Sequence, residues 1–250
     1  MTEPLWPTLT AVVVLLAIAV TVLSLAGVRH RWAAGVAVFR GAIQLAAISL
    51  ILAGVITDPR WVALALTVMF TVAAVTATRR IGWTLPRFGI VSGAMAAGVG
   101  ITLAVIFLTG ALEPTARYAL AIGGIIIGNA MSAVTLAGRR TAQGTVERFA
   151  EVEGWLALGA TPRQATLDIA REAIREALIP PTDQTKTTGL VTLPGAFVGA
   201  IFGGVSPLEA GRFQIVVLAG IMSAGTVAAT IVALTLAPTL LRPDKDSARI

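Results

Sequence analysis

Ala119-Leu-Ala-Ile-Gly-Gly-Ile-Ile-Ile-Gly-Asn-Ala-Met-Ser-Ala-Val-Thr-Leu-Ala137 is nineteen residues without a charge. As a helix it would be about 28 Å long, close to the ~30 Å hydrocarbon core of a bilayer. Six more runs of this kind flank it: Leu9 to Val28, Ala33 to Ile56, Trp61 to Thr78, Ile90 to Leu112, Gly189 to Val205 and Ile215 to Leu236. Only the second contains a charge, Arg40. The first run is read as a retained span rather than a secretory signal, because Glu3 and no basic region precedes it and no small-residue cleavage site is clear after it. The remaining composition agrees. Of 250 residues 56% are hydrophobic and 13% charged, with a mean hydropathy of +0.85, whereas soluble domains carry about 25% charged residues. The expected fold is all-α, a polytopic membrane protein with about seven transmembrane helices, residues 1–250 forming one transmembrane domain.

The charged residues divide the loops into two sets. Arg29 and Arg31, then Arg79, Arg80 and Arg87, then seven basic residues between Gly138 and Thr188, then Arg242, Lys245 and Arg249 make fifteen on one side. The other side holds Arg60, Arg117 and Arg212 beside Glu3, Asp58, Glu113 and Glu209. Because Lys and Arg stay on the cytoplasmic side, this predicts an N-terminus outside and a C-terminus in the cytoplasm of a multi-pass protein of the cell membrane. The net charge of +6 is then topology, and nucleic acid is not an expected partner; membrane lipid is. Cysteine is absent and His30 is the only histidine. Thiolate sites, histidine clusters and Ser-His-Asp chemistry are therefore poorly supplied, and no metal site is assigned.

The stretch 138–188, between the fifth and sixth spans, is the one sizeable polar segment. It reads as two helices around a corner. The first runs from about Val146 to Leu158, with Phe149, Val152, Trp155 and Leu156 at helical spacing, and stops at Gly159. The second opens on Thr161-Pro162-Arg163-Gln164, a capping box with proline at the first helical position. Its apolar stripe is Ala165, Ile169, Ala173, Ile174, Ala177 and Leu178; Asp168 with Arg171 and Glu172 with Arg175 pair on the wet face; and Pro180-Pro181 is expected to end it. A cytoplasmic helix-corner-helix element of this kind is either a solvated extension of the spans or a docking surface for a partner.

Four runs resemble the FetB-type ABC transporter permeases: Ile127-Gly-Asn-Ala-Met-Ser132, Glu151-Val-Glu-Gly-Trp-Leu-Ala-Leu-Gly-Ala-Thr161, Lys186-Thr-Thr-Gly-Leu-Val-Thr-Leu-Pro-Gly195 and Gly204-Val-Ser-Pro-Leu-Glu-Ala210. Arg40 with Gln44-Leu45 fits the same pattern. The resemblance implies the membrane half of a transporter, a homodimer paired with a separate cytoplasmic ATPase subunit, linked to iron export, with plant relatives associated with aluminium tolerance. The six-residue spacing from Glu153 to Gly159 is similar to that in the coupling loop of ABC importers, although the residues after Gly159 do not match that loop. The resemblance assigns Glu151, Glu153, Leu158, Gly159 and Ala160 to ATPase coupling. One departure stands out, since many members of the family resemble Met-Met-Thr-Gly-Gln where this chain has Ala196-Phe-Val-Gly-Ala200. An apolar path with few metal donors suits an amphiphile or a chelated metal better than a bare ion.

The residues themselves agree that energy must come from elsewhere. A phosphate loop needs Gly-Lys-Ser or Gly-Lys-Thr, and the two lysines are Lys186 after Thr185 and Lys245 after Asp244. The chain is expected to bind no cofactor, with ATP used by the partner. Inside the spans, Arg40 is either functional or snorkels to the interface, with Gln44 one turn on. Asn129 and Ser132 either join helices or line a path. Pro194, Gly195, Gly199 and Gly203 make the sixth span poor material for a plain helix, serving close packing or a path. Two other classes remain, a passive channel or non-transporting assembly subunit, and an intramembrane enzyme, which lacks a catalytic set.

Overall fold

The computed structural model describes residues 6–55 and 58–241. Glu3, Ile56, Arg242, Asp244, Lys245 and Arg249 lie outside the described residues. The described chain is helical throughout, apart from turns and one isolated bridge between Thr188 and Thr192, so the protein is a polytopic all-α membrane protein. Ten α-helices follow in order: α1 Trp6–Leu25, α2 Ala33–Val55, α3 Pro59–Ile81, α4 Leu85–Leu108, α5 Ala116–Glu147, α6 Phe149–Ala157, α7 Pro162–Ala165, α8 Leu167–Thr187, α9 Gly195–Phe202 and α10 Pro207–Leu236. Among the described residues α1, α3, α4, α5 and α10 are long and apolar enough to cross a membrane.

Contacts divide the chain into two compact units, Met1–Ile56 and Thr57–Ile250. The first is the pair α1 and α2. No residue of α1 is buried by protein, and Leu9, Val13 and Leu15 stay well exposed. Such a helix is stable only where hydrocarbon replaces water around it.

The second unit is a bundle of α3, α4, α5, α8 and α10 around Met95, Ile122, Ile126, Val134, Val217 and Val232, all essentially inaccessible. Small residues let its backbones approach, as expected where lipid competes equally for apolar side chains. At Gly98 in α4 an added Cβ would stand 2.5 Å from the carbonyl oxygen of Ala224 in α10. One turn on, the Thr102 hydroxyl donates to Ser223 Oγ at 2.9 Å, bonding the same two helices. The buried Thr78, Thr135, Thr141, Thr145 and Thr166 instead donate to backbone carbonyls four residues earlier in the chain.

Three expectations are corrected here. The fifth helix does not end near Ala137 but continues to Glu147, about 48 Å in all. Pro180-Pro181 does not end the second corner helix; α8 passes through both and stops at Thr187. The missing N–H groups leave two carbonyls without intrahelical bonds, yet α8 lies packed along α5 and α10, and that tertiary contact overrides the local breaker. The expected sixth span, Gly189 to Val205, is not one helix. Its helical part is the eight residues of α9, about 12 Å long.

The course of α8 is set by its neighbours. Ile169 packs where a Cβ on Gly144 would fall, Glu176 pairs with Arg140 at 2.7 Å, and Ala177 clusters with Ala133, Ala137 and Ala229. Further along, Leu178 approaches Gly225, and the Thr182 hydroxyl lies 4.0 Å from Met222 Sδ. Thus α8 runs antiparallel to α5, from the corner back into the bundle. Lys186 therefore leaves the set of loop cations to which the sequence assigns it, and the imbalance of basic residues hardly changes.

Candidate functional site

The corner at the end of α5 is built from local rules. Arg148 interrupts the helix after Glu147, and its guanidinium pairs with Glu151 at 2.7 Å, tying the first turn of α6 to the break. After Ala157 the chain reverses at Gly159, whose φ of +90° lies in the left-handed region that side chains with a Cβ avoid. Ala160 N–H donates to Trp155 O and Gly159 N–H to Leu156 O, both at 3.0 Å, so these carbonyls near the end of α6 are satisfied. The next helix is then capped as the sequence predicts: Gln164 N–H donates to Thr161 Oγ1, and Thr161 N–H donates to Gln164 Oε1 at 2.8 Å. Beneath the corner Val152, Ala165 and Ile169 are buried together with Leu241 against them.

The surface left outside sets exposed apolar side chains among charged ones. Leu158 is 82% exposed and Trp155 49%. They border an open cleft of about 450 Å³ that also takes in Glu151, Gly159, Ala160 and Arg171. Of the five assigned coupling residues, Glu151, Leu158, Gly159 and Ala160 come together at this cleft; Glu153 is exposed on α6 and does not line it. The pairs expected on the wet face of α8 are present, Asp168 with Arg171 at 3.2 Å and Glu172 with Arg175. The Arg175 hydrogen bond holds the Glu172 carboxyl below its ordinary value and raises Arg175 in turn. Both groups are exposed, so this is surface chemistry.

A second constellation lies where α5 meets α8, with Asn129 half-buried and Ser132, Pro180 and Gln184 exposed. Asn129 and Ser132 of α5 line a small cavity of about 120 Å³ with Pro180, Pro181 and Gln184 of α8. The Asn129 amide donates to Ile125 O at 2.9 Å and the Ser132 hydroxyl to Gly128 O at 3.2 Å. Both are bonds within α5. The Asn129 carbonyl oxygen has no protein partner among the described residues and remains free to accept. Sequence reasoning missed Gln184, because the prolines before it read as a stop; yet Ala170, Ala173, Ala177 and Gln184 keep intervals of three, four and seven, which is one helix face. It also missed Gln214 of α10, whose buried Oε1 has no hydrogen-bond partner among the described residues.

Beyond Thr187 the chain closes a turn on itself. Gly189, at φ +88°, donates to Thr192 O at 2.8 Å, while Val191 and Thr192 N–H donate back to Thr187 O. Pro194 then precedes α9, and Gly203-Gly204 ends it, with Val205 N–H donating to Ala200 O and Gly204 N–H to Ile201 O. Within this one chain, nothing among the described residues stands within 4 Å of a Cβ placed at Gly195 or Gly199. Arg40 and Gln44 are exposed on α2 and make no hydrogen bond or ion pair among the described residues.

Comparison with known proteins gives the chain's relatives. A model of the family described as Uncharacterised protein family (UPF0014) matches residues 6–241. The UPF0014 membrane protein STAR2 of Oryza sativa is 38% identical over 193 residues, 76% of this chain and 68% of the relative. Protein ALUMINUM SENSITIVE 3 of Arabidopsis thaliana is 39% identical, over 76% of this chain and 70% of its own length. The probable iron export permease protein FetB of Escherichia coli is 41% identical over 138 residues, 55% of this chain and 53% of that protein. No solved structure matches.

Proposed function

Because the chain belongs to the uncharacterised protein family UPF0014, we propose that it is the membrane-spanning permease subunit of an ATP-binding cassette exporter, acting as a homodimer with a separate ATPase subunit. The observation that carries the proposal is mechanical. The exposed apolar corner of Trp155, Leu158 and Gly159 is continuous through α7 and α8 with Gln184, which borders the same cavity as Asn129. A push on the corner has a helical lever into the bundle. The corner faces the cytoplasm in this reading, with the N-terminus outside, since basic residues flank the corner end of α3 and α5 at Arg79, Arg80, Arg139 and Arg140. An ATPase cleft would receive the Leu158–Ala160 tip, with Glu151 and Glu153 at its edge.

The relative FetB is named for iron export and ALUMINUM SENSITIVE 3 for aluminium. A metal species is accordingly the proposed cargo. Among the described residues no three His, Cys, Asp or Glu side chains gather into a metal-holding group, so the cargo would cross with water or organic ligands still attached. Co-reconstitution with the ATPase in lipid vesicles tests the assignment. Permease-stimulated ATP hydrolysis that disappears with Gly159→Asp, while insertion is retained, is the expected result. Stimulation equal to wild type in that variant would remove the corner from the mechanism.

A further inference from the structure

The charged residues beyond the double proline lie where a bilayer would be driest. A Cβ on Gly138 in α5 would touch Ile81, the last residue of α3, so these two positions share one level, just where Arg79, Arg80, Arg139 and Arg140 gather. Ala177 of α8 packs beside Ala137 at that level. Asn129 is nine residues further into α5, about 14 Å, and about 20 Å from the other end of the helix at Ala116. Gln184 borders the same cavity as Asn129. The run Thr182-Asp-Gln-Thr-Lys-Thr-Thr188, polar at every position, thus stands near the middle of the hydrocarbon layer.

We propose that this run lines a water-filled path through the membrane, with Asp183 and Lys186 facing its water at mid-depth. Lipid is excluded by cost, because each charge at the centre of a bilayer is worth several kcal/mol against insertion, about 2.5–3.5 on the most lenient scale. Within the chain the pair is open, with side chains 61% and 70% exposed and 3.4 Å apart. Dry burial against a second copy is disfavoured too, since a buried pair repays its desolvation only with close geometry and further hydrogen bonds. Hydroxyls nearby that already donate along the helix can offer Lys186 only a lone pair and the Asp183 carboxylate nothing. Those of Thr185, Thr187 and Thr188 donate to carbonyls of α8 at 2.7 to 3.0 Å. The turn after α8 satisfies much of its own backbone, which keeps a break in the span affordable in a cavity wall. A span broken near the midplane with polar groups at the break is a recurring form of transport site.

The purpose of such a path rests on the permease reading, but its wetness does not. The native chain has no cysteine, so Thr185→Cys, Lys186→Cys and Thr188→Cys each introduce the sole thiol. Val72→Cys and Ile101→Cys, on exposed apolar faces of α3 and α4, serve as lipid-facing controls. Each protein in membrane vesicles is treated with a charged, water-soluble thiol reagent, and labelling is normalised to the same sample unfolded in detergent. The path predicts labelling at 185, 186 and 188 close to the unfolded total, with the controls protected until unfolding. Protection of all three inserted variants to the level of the controls overturns it, and thiol cross-links between copies under those conditions identify a dry seam instead. That failure would leave ATPase recruitment standing, and a missing ATPase would leave the labelling result standing.

Discussion

Gly159 and Gly98 are both glycines in a glycine-rich chain, and their reasons differ. Gly159 holds a left-handed backbone at the corner, where an L residue costs about 1–2 kcal/mol. Gly159→Ala is expected to lower the apparent affinity for the ATPase while the protein still inserts, measured by co-purification at graded ATPase concentrations. Leu158→Ala, with its side chain almost free of the chain, should weaken the same binding without shifting thermal unfolding. Gly98→Ala acts on the fold. The carbonyl of Ala224 at 2.5 Å cannot give way cheaply, so overpacking should cost about 1–3 kcal/mol and lower the unfolding temperature in detergent, whereas Gly195→Ala and Gly199→Ala should leave a monomer's unfolding unchanged. The first role was legible, because Gly159 follows a helical stripe and precedes Thr161-Pro162-x-Gln164. The second was not, since a close approach depends on which helices cross.

At the scale of elements, α8 teaches most. In a soluble protein Pro180-Pro181 ends a helix; here packing against α5 and α10 holds it past both. The sequence sets 138–188 as a polar segment between the fifth and sixth spans; the structure lays α8 back along α5 and α10, so Lys186 stands on a helix rather than in a loop. The peculiarity of Gly189 to Val205, by contrast, was visible in its five glycines and Pro194, and the structure turns it into a closed turn and the short α9. Replacing both prolines, Pro180→Ala with Pro181→Ala, restores two N–H donors to α8. Insertion and helix content by circular dichroism are expected to hold or rise. Transport is expected to fall, because a lever without its weak point transmits the corner's movement differently. Unaltered transport would assign the prolines to packing alone.

For the molecule as a whole, the number of apolar runs, the polar corner and the imbalance of basic residues were readable from the sequence because each rests on composition over a length the bilayer sets. The arrangement of helices was not, since alanine- and glycine-rich faces look alike until they are paired. Two membrane halves are expected around two ATP sites, so the proposed working form is a homodimer, and a transporting monomer would contradict that. Everything proposed for the corner depends on a partner that hydrolyses ATP. The most direct measurement is therefore purification of the tagged protein from its native membrane in mild detergent, with mass spectrometry of the proteins that accompany it. A stoichiometric ATP-binding cassette subunit, lost with Gly159→Asp, is the predicted result; recovery of the inserted permease without any such ATPase, across detergents and nucleotide states, would contradict it.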